Sequence, residues 1–413
     1  MNIVYLAGYF YPEHAASSYL SANRNQAFAD EGFKMTVFAP TPCRGITKDV
    51  RDEYKKRKKE SLFDGAMSVN RFSMYAEGKN PVLRALRYGL ICFAHLHCAL
   101  FRTKGIDVMF LSSTPPVKGA IGAIIKKFKG YKFVYNLQDI FPDSLVGSGL
   151  AKKGGLLWKI GRVIENFTYR NADKIIVISE DFKRNIMAKG VPEDKIEVIY
   201  NWVDEQAVVD VPRELNVLFD RYGLDRSKFY ITYSGNIGLT QNMDMLLDVA
   251  DELRVSHPDI RFVLIGEGAY KAEVERMVKE RGLDNVTMLP FQPYEDISHV
   301  FSLGDAGLVI SKPGVGANSV PSKTWSIMSA SRPVLANFDE NELKDIIASA
   351  NCGIFTPAGD KEAFKESIVR LYDDRNLAKQ QGANGRAFVM ANLTKAVGTA
   401  KYVAVLKEVV GNS

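Results

Sequence analysis

Apolar residues occur in short continuous runs, and between these runs they recur every three or four positions. The continuous runs predict buried strands, and the spacing between them predicts helices at residues 17–31, 118–129, 242–255 and 324–330. The predicted strands cover residues 2–8, 34–39, 106–112, 132–137, 175–179, 196–201, 229–234, 261–268, 286–293, 305–312, 334–336 and 353–360. Strands that alternate with helices favour parallel sheets. We therefore predict an α/β protein with two Rossmann-like, doubly wound domains facing a cleft.

The boundary between the two predicted domains lies in a more polar segment. Residues 204–228 contain Pro212 and Gly223 and carry no strand-like run, so we expect the hinge there. The first domain then covers residues 1–203 and the second covers residues 229–392. Helical spacing continues through residues 377–410.

Composition narrows the class of protein. The 413 residues are 46% apolar and 25% charged, as in an ordinary globular protein that buries large cores. The four cysteines are widely spaced, so neither a disulfide framework nor a zinc site is predicted. The first residues lack the basic segment of a signal peptide, and no apolar stretch reaches the length of a membrane span. We expect a reducing, cytoplasmic environment.

Charge is distributed unevenly along the chain. Residues 1–200 hold 31 basic and 19 acidic side chains, a balance of +12, whereas residues 201–413 hold 23 and 29, a balance of −6. A basic half indicates an anionic partner, which could be membrane lipid, nucleic acid or a phosphorylated substrate, unless it is only a solvated surface. Residues 51–60 include six basic residues but few aromatics, so we expect no nucleic-acid partner. They form either a solvated helix face or a membrane contact.

A long apolar run at residues 88–101 has two interpretations. It is bracketed by Arg84, Arg87, Arg102 and Lys104 and is too short to span a bilayer. A buried core helix is the default interpretation. The basic flanks also allow one face to lie in a membrane interface while the ends reach phosphates.

The segment from Gly314 to Ala336 carries the clearest candidate chemistry. A loop of glycine and small polar residues leads through Pro321 into a helix, which ends before Pro333 and a short apolar strand. Unpaired N–H groups at a helix N-terminus, beside glycines that allow close approach, attract an anion. A phosphate or diphosphate is the expected ligand.

Three motifs in this segment resemble a known signature. Pro-Ser-Lys at residues 321–323, Ile-Met-Ser-Ala at 327–330 and Arg-Pro-Val-Leu-Ala at 332–336 are similar to the donor-binding region of the GT-B glycosyltransferases of family 4. The resemblance is closest to the bacterial O-antigen and capsule branch, which includes N-acetyl-fucosaminyl transferases. It implies that the final helix, in residues 393–413, packs back on the first domain.

The resemblance extends to the predicted first domain. Asp-Ile-Phe-Pro-Asp-Ser at residues 139–144 is similar to a motif of the same branch, which implies that Asp139 lies beside the reacting face of the donor sugar. A turn or capping role for Asp139 is the alternative. The loop after the first strand is also similar, which implies acceptor contacts from Glu13, His14 and Ser17.

Donor contacts follow from the same resemblance, with two departures. The implied donor-binding residues are Gly235, Asn236, Gln241, Gly266, Glu267, Phe291, Asn318, Ser319, Val320, Pro321, Ser322 and Ser326. Asn236 and Gln241 stand where relatives carry Arg and Lys, and Asn318 and Ser326 stand where relatives carry two glutamates. Lys323 is therefore the cation expected to meet the diphosphate.

The activity implied is retaining transfer of a sugar from a nucleotide-diphosphate sugar, such as a UDP-N-acetyl or 6-deoxy sugar. The acceptor would be a polyprenyl-diphosphate-linked saccharide at the inner face of the plasma membrane, where the basic half meets anionic lipid. The chain has no D-x-D motif, so no metal or other cofactor is expected. A UDP-sugar 2-epimerase and a non-catalytic partner in polysaccharide assembly remain as alternatives.

Overall fold

The chain forms two compact α/β units. The structure, a computed structural model, describes residues 1–13, 18–78, 80–115, 117–147, 152–316 and 320–411. One unit comprises Met1–Tyr200 and Gly398–Ser413, and the other comprises Asn201–Val397. Four residues singled out from the sequence, His14, Ser17, Asn318 and Ser319, lie outside the described residues.

The first unit is built on an eight-stranded sheet. Its strands are β1 (Asn2–Leu6), β2 (Lys34–Pro40), β3 (Lys59–Leu62), β4 (Met67–Phe72), β5 (Val108–Ser112), β6 (Lys132–Leu137), β7 (Lys174–Val177) and β8 (Ile196–Val198). They are ordered β3-β4-β2-β1-β5-β6-β7-β8, with β3 antiparallel to β4 and the other neighbours parallel. Its helices are α1 (Ser18–Asp30), α2 (Lys48–Lys56), α3 (Pro81–Phe101), α4 (Lys118–Lys129), α5 (Asp143–Gly147), α6 (Leu156–Asn171) and α7 (Glu180–Ala188).

The second unit has a fully parallel six-stranded sheet. Its strands are β9 (Phe229–Ser234), β10 (Ile260–Ile265), β11 (Val286–Leu289), β12 (Ala306–Ile310), β13 (Val334–Phe338) and β14 (Gly353–Pro357), in the order β11-β10-β9-β12-β13-β14. Its helices are α8 (Val217–Tyr222), α9 (Met243–Ser256), α10 (Lys271–Glu280), α11 (Ile297–Phe301), α12 (Lys323–Ser329), α13 (Glu342–Ala350), α14 (Lys361–Asp373) and α15 (Arg375–Asn392). The final helix, α16 (Lys395–Gly411), begins in this unit and continues in the first.

The two sheets explain why the strand runs are so apolar. Helices cover both faces of a doubly wound sheet, so side chains on either side of each strand are buried. In β9, for example, Ile231 and Tyr233 belong to one core cluster whereas Tyr230 belongs to another. The predicted fold class, two Rossmann-like α/β domains, is confirmed.

The segment predicted as a hinge is bound to the second unit. The backbone N–H groups of Val209 and Val211 donate to the hydroxyls of Ser298 and Ser302, each over 3.0 Å. The division between the two units falls after Tyr200. The N–H group of Val203 donates to the carbonyl oxygen of Leu393 over 3.1 Å, a contact within the second unit.

The end of the chain consists of two helices, α15 and α16. Within the first unit, the Tyr402 hydroxyl of α16 donates to the Asn136 side-chain oxygen over 3.1 Å, and Lys407 pairs with Glu31 over 2.6 Å. Among the residues that the structure describes, no helix has the length and hydropathy of a membrane span.

Candidate functional site

The second unit has an open position at the carboxyl end of its sheet. From β9 the sheet grows in one direction through β10 and β11, and β12, β13 and β14 are added on the opposite side of β9. The direction in which strands are added therefore reverses between β9 and β12. Within the described residues these two strands pair at Ile231–Ala306 and Thr232–Gly307, so the carboxyl end of β12 does not pair with β9. Ligands of open α/β sheets bind at such a reversal, beyond the carboxyl ends of the strands. The loops that follow β9 and β12 hold most of the predicted donor residues.

Lys323 lies directly at this position. Its Nζ atom is 3.7 Å from the centre of the Tyr233 ring. A Cβ atom on Gly235 would be 3.1 Å from the same Nζ, so the glycine leaves the space that the lysine occupies. Burial lowers the pKa of Lys323 to about 7, because removal from water penalises the charged amine. Among the described residues, none forms an ion pair with Lys323. The site therefore presents an amine whose charge is not compensated.

Two glycine loops meet backbone to backbone beside Lys323. Gly235 and Gly266 follow the ends of β9 and β10, with φ angles of 144° and 153°. A Cβ atom on Gly266 would lie 1.9 Å from the carbonyl oxygen of Gly235, so only glycine fits there. The carbonyl oxygen of Glu267 accepts from the N–H of Ile237 over 2.8 Å. The carboxylate of Glu267 pairs with Lys271 over 2.7 Å. Glu267 therefore contacts the loop after β9 through its backbone carbonyl and not through its side chain.

Asn236 and Gln241 make contacts within the loop that follows β9. The Gln241 side-chain oxygen accepts from the N–H of Gly238 over 3.0 Å. A Cβ atom on Gly238 would lie 2.6 Å from the amide nitrogen of Asn236. The Tyr233 hydroxyl donates to the carbonyl of Asn236 over 2.6 Å. These contacts give both residues a part in shaping the loop, and their predicted donor contacts stay predictions.

Asp339 and Asn341, which the sequence reasoning missed, hold the loop after β12. The Asp339 carboxylate accepts from the N–H groups of Gly314 and Gly316 over 2.9 and 2.6 Å. Asn341 donates to the carbonyl of Gly316 over 2.9 Å. Asp339 directly follows β13, and a polar residue at the carboxyl end of a strand is the signal that could have identified it.

The remaining donor candidates lie around the start of α12 and at the edge of the sheet. The carbonyl of Pro321 accepts from the N–H of Thr324 over 2.9 Å, and that of Ser322 accepts from Trp325 over 3.2 Å, so the helical turn begins there. Val320 precedes this turn, and Ser326 is half-buried in α12. Phe291 follows β11, two strands away from β9, and is 72% exposed.

Glu13, in the first unit, is buried and holds two loops together. Its carboxylate accepts from the N–H groups of Phe10, Cys43 and Arg44, over 2.9, 2.8 and 3.0 Å. Three donors on a buried carboxylate satisfy most of its hydrogen-bonding capacity. The contacts indicate a structural role, and acceptor binding by Glu13 stays a prediction.

Asp139 is exposed just beyond the carboxyl end of β6. The motif that follows it packs against α6, because a Cβ atom on Gly161 would lie 2.6 Å from the Pro142 side chain. Burial acts to raise the pKa of Asp143, but the hydrogen bond from Lys189 over 2.7 Å holds that pKa below its ordinary value. Asp143 is therefore fixed in the fold, whereas Asp139 is presented to solvent. Within the described ranges, no group of three His, Cys, Asp or Glu side chains could hold a metal ion.

Two family descriptions match most of the chain. Glycosyl transferases group 1 matches residues 216–388, which contain the loops around Lys323, and Glycosyltransferase Family 4 matches residues 25–207. The chain belongs to this superfamily of GT-B glycosyltransferases. It is an enzyme of the glycosyltransferase class. The finer resemblance to the N-acetyl-fucosaminyl transferase branch stays a prediction.

Individual relatives of this glycosyltransferase are distant. WcaI of Escherichia coli, a glycosyl transferase provisionally assigned to colanic acid biosynthesis, is 29% identical over 273 residues, which are 64% of this chain and 66% of WcaI. The match thus spans just under two thirds of WcaI. WbjE of Pseudomonas aeruginosa, provisionally assigned as a glycosyltransferase, is 25% identical over 315 residues, 76% of this chain and 77% of WbjE. The solved structure of HepE from Anabaena, in complex with UDP, is similar with a TM-score of 0.73 and 17% identity, over 99% of this chain and 100% of HepE.

Proposed function

We propose that this enzyme transfers a sugar, with retention of configuration, from a nucleotide-diphosphate sugar to a polyprenyl-diphosphate-linked saccharide. The donor would be a UDP-N-acetyl or UDP-6-deoxy sugar, and the product would enter a cell-surface polysaccharide. The observation that carries the proposal is the Nζ atom of Lys323 beside the bare backbone of Gly235, at the strand reversal of the second sheet. The UDP bound to HepE and the colanic acid assignment of WcaI support it.

The residues around Lys323 suit a diphosphate. The glycines at positions 235 and 266 allow backbone atoms to approach the ligand without obstruction by side chains. Lys323 supplies a cation that could replace the Arg and Lys that relatives carry in the first loop. Residues 201–413 have a net balance of −6, so Lys323 would supply a local positive charge in a half of the chain that is acidic on average.

In the proposed reaction the bond between the sugar C1 atom and the diphosphate oxygen breaks. The leaving diphosphate oxygen takes the proton of the acceptor hydroxyl, and that hydroxyl oxygen bonds to C1 on the same face. The products are a nucleoside diphosphate and the extended lipid-linked saccharide. Lys323 stabilises the negative charge that develops on the leaving group. Asp139 orients a substrate and stabilises the positive charge that develops on the sugar. No metal is required, so transfer should be insensitive to EDTA.

A panel of nucleotides tests the donor class first. UDP at 100 times its dissociation constant should stabilise the native protein by about 2.7 kcal/mol, whereas GDP and ADP should not. For a unit of this size, that corresponds to a rise in melting temperature of roughly 5–10 °C. The measurement is a thermal-shift series with UDP, GDP, ADP and several UDP-sugars, followed by a transfer assay with the UDP-sugar that gives the largest shift.

The other outcomes of this panel identify the alternatives. Isomerised UDP-sugar in the absence of acceptor would identify a 2-epimerase. Donor binding without turnover, unaffected by Asp139→Ala, would identify a non-catalytic partner of a polysaccharide assembly complex. Absence of a shift with every nucleotide would contradict the proposed donor site.

Binding of UDP is expected to take up a proton above pH 7. The pKa of Lys323 is about 7 in the free protein, and a bound diphosphate should raise it. Below that pKa the amine is already charged, whereas above it a proton must enter with the ligand. The dissociation constant should therefore rise about tenfold per pH unit above 7, until the pKa of the complex is reached.

Calorimetry at pH 8 measures this uptake, in buffers with different ionisation enthalpies. The terminal phosphate of UDP is already ionised at pH 8, since its pKa is near 6. Wild type should take up ~0.9 proton. The variant Lys323→Arg, whose charge does not titrate, is the control and should take up none. Equal uptake by the two proteins would show that another group titrates.

The proposed acceptor implies work at a membrane. A polyprenyl chain remains in the bilayer, so the enzyme would act as a peripheral protein at the cytoplasmic face of the plasma membrane. The balance of +12 in residues 1–200 supports contact with anionic lipid.

A further inference from the structure

Helix α3 is apolar on two opposite faces. One face packs into the first unit through Ile91, Cys92, Cys98 and Ala99, each at most 4% exposed. The opposite face carries apolar side chains that are 43–73% exposed, namely Val82, Leu83, Leu86, Leu90, Phe93 and Phe101. Their spacing of three, four and eight residues gathers most of them on a single stripe. A helix that is apolar all round is normally buried on all sides. The exposed stripe of α3 therefore needs a partner.

A second exposed apolar face lies on α6, two helices away in the same layer. Leu156, Leu157, Ile160 and Val163 are 48–75% exposed and occupy its first two turns. Helix α4 packs against both α3 and α6. A Cβ atom on Gly119 of α4 would lie 2.4 Å from the Thr168 side chain of α6, so these two helices are in close contact. We call the exposed apolar residues of α3 and α6 the outer face.

The charged side chains on these three helices are almost all basic. Helices α3 and α4 contain no Asp or Glu, and the single acidic residue of α6, Glu165, is buried and paired with Arg162 and Lys189. Arg84 pairs with Glu77 over 2.9 Å. The other basic side chains at the ends of the three helices border the outer face, namely Arg102, Lys104, Lys127, Lys152, Lys153 and Lys159. Apolar side chains surrounded by cations complement an anionic lipid surface.

A groove extends the outer face on the side of the polybasic segment. It has a volume of about 600 Å³ and is lined by Leu90 and Ala94 of α3, by Phe72 and Met74, and by Lys55 and Lys58, among others. The Nζ atom of Lys58 donates to the Ser73 hydroxyl over 2.8 Å. Two basic residues of the segment 51–60, Lys55 and Lys58, thus border the same apolar surface.

We propose that the outer face docks on an anionic phospholipid bilayer, with α3 and α6 lying at the boundary between headgroups and acyl chains. The flanking lysines and arginines would contact lipid phosphates. This proposal deepens the proposed function, since it rests on a lipid-linked acceptor. It names the surface through which the enzyme reaches that acceptor.

Docking in this way would bring the loop after β1, to which the family resemblance assigns acceptor contacts, close to the membrane. The first turns of α3 are tied to the loop after β1, because the hydroxyls of Tyr9 and Tyr88 are 3.1 Å apart and Tyr9 donates to Glu77 over 2.7 Å. That loop follows the carboxyl end of β1, where α/β sheets bind ligands. The saccharide could therefore enter the site while its lipid chain stays in the bilayer.

Flotation with lipid vesicles tests the docking surface. The full-length protein should bind phosphatidylglycerol-containing vesicles at least tenfold more strongly than pure phosphatidylcholine vesicles. The double variant Leu86→Glu with Phe93→Glu, and separately Ile160→Glu with Val163→Glu, should each lower binding at least tenfold. The matched control is Val255→Glu in the second unit, a residue that is 80% exposed and lies outside the outer face. It should bind as wild type does.

Three further measurements distinguish a loss of membrane docking from misfolding, from a failure of sugar transfer and from self-association. Melting temperatures and the UDP-induced shift of the variants should match those of wild type, which excludes misfolding. If wild type binds vesicles but transfers no sugar, the proposed function fails and the docking proposal stands. Vesicle binding that is unchanged in both double variants, or absent in wild type, would overturn the docking proposal. A wild-type dimer that becomes monomeric in the double variants would instead identify a second copy of this chain as the partner.

Discussion

Replacement of Lys323 by alanine is expected to lower kcat/KM for sugar transfer by about a thousandfold. Fixed donors to a developing negative charge contribute 10²–10³-fold each, which corresponds to about 2.7–4 kcal/mol. Lys323 is at the upper end of this range because it is partly removed from water and, within the described chain, has no ion-pair partner to share its charge. Its Nζ atom lies over the Tyr233 ring and beside Gly235.

Steady-state kinetics and donor titration measure the effect. The donor affinity should fall together with kcat, since the diphosphate is bound before it leaves. The control Lys344→Ala removes an exposed lysine of the same unit, paired with Glu340 over 2.7 Å, and should change kcat/KM less than twofold. An unchanged donor affinity in Lys323→Ala would refute the role proposed for this residue.

The substitution Gly266→Ala is expected to destabilise the second unit by at least ~3 kcal/mol and to abolish donor binding. The new methyl group would lie 1.9 Å from the carbonyl oxygen of Gly235, and that oxygen belongs to backbone that cannot rotate away. The φ angle of 153° adds strain for any residue with a side chain. Relief requires separation of the two loops, which would displace Gly235 from Lys323.

Differential scanning calorimetry with and without UDP measures both effects. The melting transition of the second unit should fall by roughly 6–12 °C, and the UDP-induced shift should disappear. The control Gly282→Ala also has a positive φ angle, 61°, but its Cβ atom would meet no described atom within 4 Å. It should cost only about 1–2 kcal/mol and leave the UDP shift intact. Equal losses of stability in the two variants would mean that backbone strain at a positive φ angle, and not the contact with Gly235, determines the effect.

Individual residues of the candidate site could be predicted from the sequence, but their proximity in space could not. Lys323, Gly235 and Gly266 were each predicted from local patterns or from a family resemblance. Their meeting depends on the strand order β10-β9-β12, which brings together three loops that are distant in the chain. The contacts of Asp339 and Asn341 with the loop after β12 were missed for the same reason. Neither residue shows in sequence which glycine N–H or carbonyl it will meet.

Glu13 illustrates a different limit of sequence reasoning. The family resemblance of its loop implied contact with an acceptor, whereas the structure gives its carboxylate three backbone donors from two separate loops. A carboxylate in a loop can bind a ligand or organise the backbone, and only the positions of the surrounding N–H groups distinguish these uses.

By itself the sequence determined the α/β class, the two Rossmann-like domains and their strands apart from β3 and β4, together with the glycine turns after β9 and β10. It could do so because apolar periodicity and glycine conformation are local properties of the chain. Only the tertiary structure decided that Lys323 lies beside Gly235, that the division falls after Tyr200, and that α3 and α6 expose apolar faces in one layer. These features depend on contacts between distant residues, and the order of strands in each sheet sets them. The apolar run of α3 is the clearest case. Its sequence is compatible both with a fully buried helix and with a helix that exposes one apolar face.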